Sequence, residues 1–210
     1  ESPWFKRWFG GSKVVDADGK PLVVYHGSKA DFNIFDLQLA GRNGQALGIG
    51  FYFTNSESIA SEYGKTNSFY LKMNNPALSV KKKTITRVQV KKIVDILEKE
   101  DEYLLSNYGD VSTSGRASVM NDALNDVHGE SANDVDVITS LVNMSGIPRE
   151  SVMNAVIDVT GKDGLFVPAD IVSSGAEHGD NVYVALLPTQ IKSATGNRGA
   201  VDSENPDIRF

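Results

Sequence analysis

The 210-residue chain has no cysteine and only three histidines, His26, His128 and His178. The first absence excludes disulfides, thiolate zinc sites, iron–sulfur clusters and cysteine nucleophiles together. The second leaves an all-histidine metal site poorly supplied, so no metal is expected. Positive charge is also short. The chain has 21 Lys and Arg against 27 Asp and Glu, and 21 − 27 is −6, a balance that disfavours non-specific nucleic-acid binding. Long apolar runs are missing too. Val182–Leu187 is far too short to span a bilayer, and Glu1–Phe9 has no signal-peptide core. A cytoplasmic protein is expected, and the start without Met reads as a piece of a larger chain.

What is present suits a folded domain. Apolar residues make up 40% and charged residues 23%, near globular averages. At this length folding buries roughly 70% of the unfolded chain's surface, so no staple is required.

The texture along the chain is β, then helical, then β again. Lys13–Val15 and Lys20–Tyr25 flank an Asp-Gly turn and read as two strands, the second running into His26, Gly27 and Ser28. Gly48–Thr54 reads as a buried strand after a glycine-rich entry. Asn55 and Ser56 can cap a short helix through Tyr63, with Gly64 at its end, and Ser68–Met73 reads as a strand. From about 84 to 160, four apolar stripes recur at helical spacing: Val90 to Leu97, Ala117 to Val127, Val135 to Val142 and Val152 to Val159. Strands return at Gly164–Val167, Asn181–Leu187 and Ile191–Ala194, followed by a polar, irregular tail. This order predicts one α+β domain over residues 1–210, with terminal strands pairing and a helical insertion at about 84–160.

Single features carry little chemistry. His26 ends a strand, and Gly27 lets a ligand approach the backbone; a strand-end histidine before a turn explains both as well. Gly48 and Gly50 open a strand rather than a helix and fit a dinucleotide fingerprint badly. Lys81, Lys82, Lys83, Arg87, Lys91 and Lys92 form a basic patch, followed by the acidic run Glu98–Glu102; a solvated helix face accounts for both. Tyr52 and Tyr63 read as core aromatics when each is taken alone.

Together these segments say more. Val23–Ser28 (Val-Val-Tyr-His-Gly-Ser), Gly48–Thr54 (Gly-Ile-Gly-Phe-Tyr-Phe-Thr) and Ser58–Gly64 (Ser-Ile-Ala-Ser-Glu-Tyr-Gly) resemble the ADP-ribosyltransferases of the diphtheria-toxin and poly(ADP-ribose)-polymerase branch. That branch has a histidine on its first strand, a tyrosine on its second and an acid on a late strand. Phe5–Val15, Gly19–Gly27, Pro188–Asn197 and Asn205–Phe210 are similar to the ADP-ribosyltransferase domains of phage and prophage polyvalent proteins. The resemblance covers roughly residues 3–78 and 160–210, not the helical middle.

The resemblance implies a split β-sheet core that binds NAD as substrate, without a metal. It places His26 on NAD ribose hydroxyls and the Gly27 backbone on the nicotinamide carboxamide. Tyr63 would stack on the nicotinamide ring, Tyr52 would form the other wall, and Ser28 would be an extra donor. Relatives often carry a serine three residues before the second tyrosine; Ala60 stands there, with Ser61 beside it. The implied function is a mono-ADP-ribosyltransferase of effector or toxin type that releases nicotinamide. Its acceptor would be macromolecular, a host protein ahead of RNA, in a bacterial cytosol reached by phage or secretion. An immunity or parent-protein partner is also implied.

The late-strand acid is the departure. Aligned on Pro188–Ala194, the family's glutamate position holds Val182. Four accounts stay open: an introduced inactivating change, a divergent transferase that borrows its acid or base, a silent NAD- or partner-binding module, and a substitute acid from the preceding loop, Glu177 or Asp180. An RNA-directed transferase or RNA 2′-phosphotransferase-like enzyme is a further alternative, for which the net charge is unfavourable.

Overall fold

The computed structural model describes residues 2–40, 47–100, 133–145, 147–169, 180–198 and 201–210. The stripe Ala117 to Val127, His128, His178 and Glu177 lie outside the described residues. The chain divides into two compact units. The first comprises residues 1–39, 50–77 and 163–210; the second comprises 40–49 and 78–162.

The first unit is built on six antiparallel strands: β1 (Val24–Ser28), β2 (Phe51–Thr54), β3 (Lys65–Leu71), β4 (Gly164–Val167), β5 (Val182–Ala185) and β6 (Ile191–Ser193). Their order is β4-β5-β2-β1-β3-β6. The terminal strands pair as expected, β5 with β2 and β6 with β3. The sheet nearly divides at its centre. β1 pairs with β3 from Val24↔Phe69 to Ser28↔Lys65, and β2 pairs with β5 from Phe51↔Ala185 to Thr54↔Val182. Between β1 and β2 the register is a single pair, Tyr25↔Thr54. Two three-stranded halves thus meet at one rung.

Side chains alternate across a pleated sheet, and paired residues share a face. Val24, His26, Phe53, Phe69 and Tyr183 therefore lie on one face. Tyr25, Gly27, Tyr52, Thr54 and Val182 lie on the other. The first face is aromatic: Phe35 sits over it, 5.1 Å from Phe51, 5.5 Å from Phe53 and 5.3 Å from Phe69 between ring centroids.

The Asp-Gly turn forms, with Asp16 Oδ1 accepting the Asp18 and Lys20 N–H groups at 2.9 Å each. Its arms make only the isolated bridge Val15↔Pro21. Lys13–Val15 is therefore not a strand, and β1 starts at Val24. Helix α1 (Pro3–Phe9), which the sequence reading missed, is capped by Ser2 and has Pro3 in its first turn. It buries Phe5, Trp8 and Phe9 in a cluster with Val201, against which Tyr70 packs.

The second unit holds α3 (Arg87–Glu100), α4 (Asp134–Ser145) and α5 (Arg149–Thr160), numbered after α2 (Glu57–Ser61) of the first unit. Three of the four predicted stripes fall on described residues and supply the core there: Val90, Ile93, Val94 and Leu97 on α3, Ile138, Leu141 and Val142 on α4, and Val152, Ala155 and Val156 on α5 are buried, while Val135 and Val159 are half-buried. Asp134 is fully buried at the start of α4. Its carboxylate accepts the N–H groups of Ser79 (3.1 Å), Thr84 (2.5 Å) and Ile85 (2.8 Å), the Thr84 hydroxyl (2.5 Å) and Lys162 Nζ (3.0 Å). Burial pushes its pKa up, but these donors outweigh burial and hold the group below the usual carboxylate value. The patch residue Lys91 pairs with Asp95 at 2.7 Å on an exposed face of α3.

Candidate functional site

The candidate site residues of the first unit lie near the place where the sheet nearly divides. β1 and β2 part after Tyr25↔Thr54, and His26 bridges the opening with its side chain. Its Nδ1 lies 2.8 Å from the Tyr52 carbonyl oxygen. A carbonyl only accepts, so Nδ1 carries the proton of the neutral ring and Nε2 keeps its lone pair. The ring is boxed by aromatic edges, 5.1 Å from Phe35, 5.5 Å from Phe53 and 6.2 Å from Phe32. Burial pushes the His26 pKa down and the Tyr52 carbonyl pulls it part of the way back, leaving it below the ordinary value. His26 is thus a neutral hydrogen-bonding group at pH 7.

Gly27 is required by close packing. A Cβ there would stand 1.8 Å from the Ala60 carbonyl oxygen and 3.0 Å from Tyr63 Cβ. Helix α2, capped by Ser56 Oγ on the Ile59 N–H at 3.4 Å, thereby sets its last turn directly on β1. Gly64, at φ +135°, turns the chain back past Ser28 into β3. Tyr63, between these contacts, is 60% exposed. Its ring is presented to solvent rather than built into the core.

The structure brings Gly27, Tyr52, Tyr63 and position 182 to one face of the sheet. Tyr52 pairs with Val184, and Val182 pairs with Thr54 across β2–β5. The imidazole of His26 is on the opposite face, among Phe32, Phe35, Phe53 and Phe69, and meets this face's Tyr52 only at its backbone carbonyl. Ser28 lies at the end of β1, its Oγ accepting the Ala30 N–H at 3.1 Å. Ala60 is buried under the helix, and the Ser61 hydroxyl donates to the Ser58 carbonyl at 2.6 Å, so neither replaces the family serine. Thr66, paired with Gly27, has a buried hydroxyl with no hydrogen-bond partner.

A cavity of about 250 Å³ adjoins the His26 face, lined by Asp31, Phe32, Asn33, Asn67, Phe69, Ser193 and Ile208. Sequence reading did not find it, because its walls come from β3, β6, the loop after β1 and the C-terminal tail. The tail is drawn in by Lys192. That side chain is fully buried, and its Nζ donates to the carbonyls of Asn205 (2.6 Å) and Asp207 (3.1 Å). The Ile208 N–H then donates to the Asn33 carbonyl at 2.9 Å. Among the described residues no group of three or more His, Cys, Asp or Glu side chains could hold a metal ion, and no helix is long and apolar enough to cross a membrane.

A six-stranded antiparallel sheet with helices, parted at the strand that carries His26, is an α+β fold consistent with an ADP-ribosyltransferase domain. The family described as ADP-ribosyltransferase in polyvalent proteins matches residues 16–201, and the chain belongs to that family. No curated protein and no solved structure matches the chain.

Proposed function

We propose that the protein binds NAD across the β1–β2 opening and transfers ADP-ribose from it to a macromolecular acceptor, expelling nicotinamide. The observation that carries this reading is the packing of Gly27 beneath Ala60 and Tyr63 at the place where β1 loses β2 as a neighbour. A backbone edge without an adjacent strand suits a carboxamide, which both donates and accepts. An exposed tyrosine ring beside it suits a flat cationic ring. The unpartnered Thr66 hydroxyl adds a polar group on the same face.

His26 serves the sugar. Its Nε2 has no hydrogen-bond partner among the described residues, and it accepts a hydrogen bond from a ribose hydroxyl. The cavity beyond Phe32 and Phe69 takes the adenosine end, with the amides of Asn33 and Asn67 facing a ring that has donors and acceptors. A dinucleotide lying through the opening thus meets both faces of the sheet.

C1′–N cleavage is favoured by groups that stabilise an oxocarbenium-like state. The test is labelled NAD with bacterial lysate, for the chain and for Val182→Glu. Transfer of label with nicotinamide release supports the reading, and neither product from either protein overturns it. Val182 favours a second reading, a silent NAD- or partner-binding module. That reading predicts NAD binding without turnover.

A further inference from the structure

Cleavage through an oxocarbenium-like state calls for a carboxylate near the reacting sugar, and the valine at 182 supplies none. The chain is fixed just before the strand that carries it. The Asn181 N–H donates to Asn55 Oδ1 at 2.8 Å, and Asn181 Oδ1 accepts the Ala169 N–H at 3.2 Å. Thr54↔Val182 is the last β2–β5 pair. One step further, the Asn181–Asn55 bond keeps the two chains side by side. Asp180 is the residue just before this anchored Asn181, and Ser56, the residue just after Asn55, caps the helix that leads to Tyr63.

Asp180 is half-buried and has no hydrogen-bond or ion-pair partner among the described residues. The other described acids of this region differ. Glu57 and Glu62 are exposed on α2 and at its end, and Asp31 is paired with Lys65 at 2.6 Å. Asp180 thus combines an anchored backbone, partial burial and an uncommitted carboxylate, two residues from the position that lacks one.

We propose that Asp180 supplies the carboxylate of the transfer reaction, a role that rests on the NAD reading above. The C1′–N bond breaks and its electron pair leaves with neutral nicotinamide. A lone pair of the acceptor forms the new bond to C1′. The acceptor's proton passes to the Asp180 carboxylate and from there to water, while the same carboxylate stabilises the cationic sugar.

The experiment measures nicotinamide release from NAD and NAD binding by calorimetry for the parent chain, Asp180→Asn, Glu57→Gln and Asp180→Asn/Val182→Glu. Asp180→Asn is expected to lower kcat about 100-fold and to leave the NAD affinity within about threefold. Glu57→Gln keeps parental turnover, and adding Val182→Glu to Asp180→Asn restores it. Parental turnover in Asp180→Asn overturns the assignment. So does a parent chain that binds NAD and releases no nicotinamide. A parent chain that does not bind NAD overturns the site reading itself, and this assignment with it.

Discussion

The imidazole of His26 stands where the β1–β2 ladder stops, its Nδ1 2.8 Å from the carbonyl oxygen of Tyr52. One side chain thereby replaces a rung of backbone pairing at the centre of the sheet. Burial lowers the His26 pKa from its ordinary 6.5, so the unfolded chain takes up the proton first as pH falls. The His26 contribution to stability is complete above about pH 6.5 and declines as pH drops from there toward the folded-state value. Denaturant unfolding at pH 7.5, 6 and 5 should show this decline, with a shallower slope in His26→Gln. Identical slopes would count against a buried neutral ring.

Gly27→Ala isolates the contact between β1 and α2. The added methyl meets backbone, the Ala60 carbonyl at 1.8 Å, so α2 must move. The expected cost is about 1–3 kcal/mol of stability, from overpacking, together with loss of NAD binding. A variant of parental stability that binds NAD normally would refute the close packing.

Asp134 is the most committed charge among the described residues of the second unit. Asp134→Ala strips the partner from Lys162 and leaves three N–H groups without their acceptor. The predicted loss is about 3–5 kcal/mol, the usual cost of breaking a buried pair. Because the Asp134 pKa is lowered from 3.8, its contribution is present above that value and is lost as pH falls through the folded-state pKa. Thermal unfolding of parent and variant between pH 7 and pH 3 checks both statements; a stability difference that does not narrow in acid contradicts the second.

Lys192→Met tests the hold on the tail. The methionine fills the space but donates to neither the Asn205 nor the Asp207 carbonyl. Amide exchange should quicken at Ile208, which donates to Asn33, and at Ser193, which donates to Ile208 at 2.8 Å. Exchange in α3 and α5 should be unchanged. Unaltered protection at Ile208 would show that the tail does not depend on the buried lysine.

The sequence made some of this legible and hid the rest for physical reasons. Gly164–Val167 announces itself as a strand because its apolar run is bounded by breakers, and the α3 and α5 stripes announce helices by period. The strand Asn181–Leu187 shortens to Val182–Ala185 because Gln190 Oε1 accepts the N–H groups of Leu186 and Leu187. α1 was missed although Ser2 and Pro3 signal a helix start, since its crowded aromatics carry no clear period. The motif residues could be named from the sequence, but their faces could not. Which side Tyr52 takes depends on strand pairing, as does the single rung at Tyr25↔Thr54. Lys192 reads as a surface lysine until the tail is seen to cover it.

In the NAD reading, Tyr63 and Gly27 form one wall of the binding site. Calorimetric titration of NAD into the parent chain and into Tyr63→Ala tests it most directly. Because the Tyr63 ring is largely exposed, its removal should leave the fold intact. The expected result is saturable binding by the parent, weakened about tenfold or more in Tyr63→Ala, as suits a stacked aromatic worth about 1–2 kcal/mol. Equal affinity in the two proteins, or no binding by the parent, would contradict it.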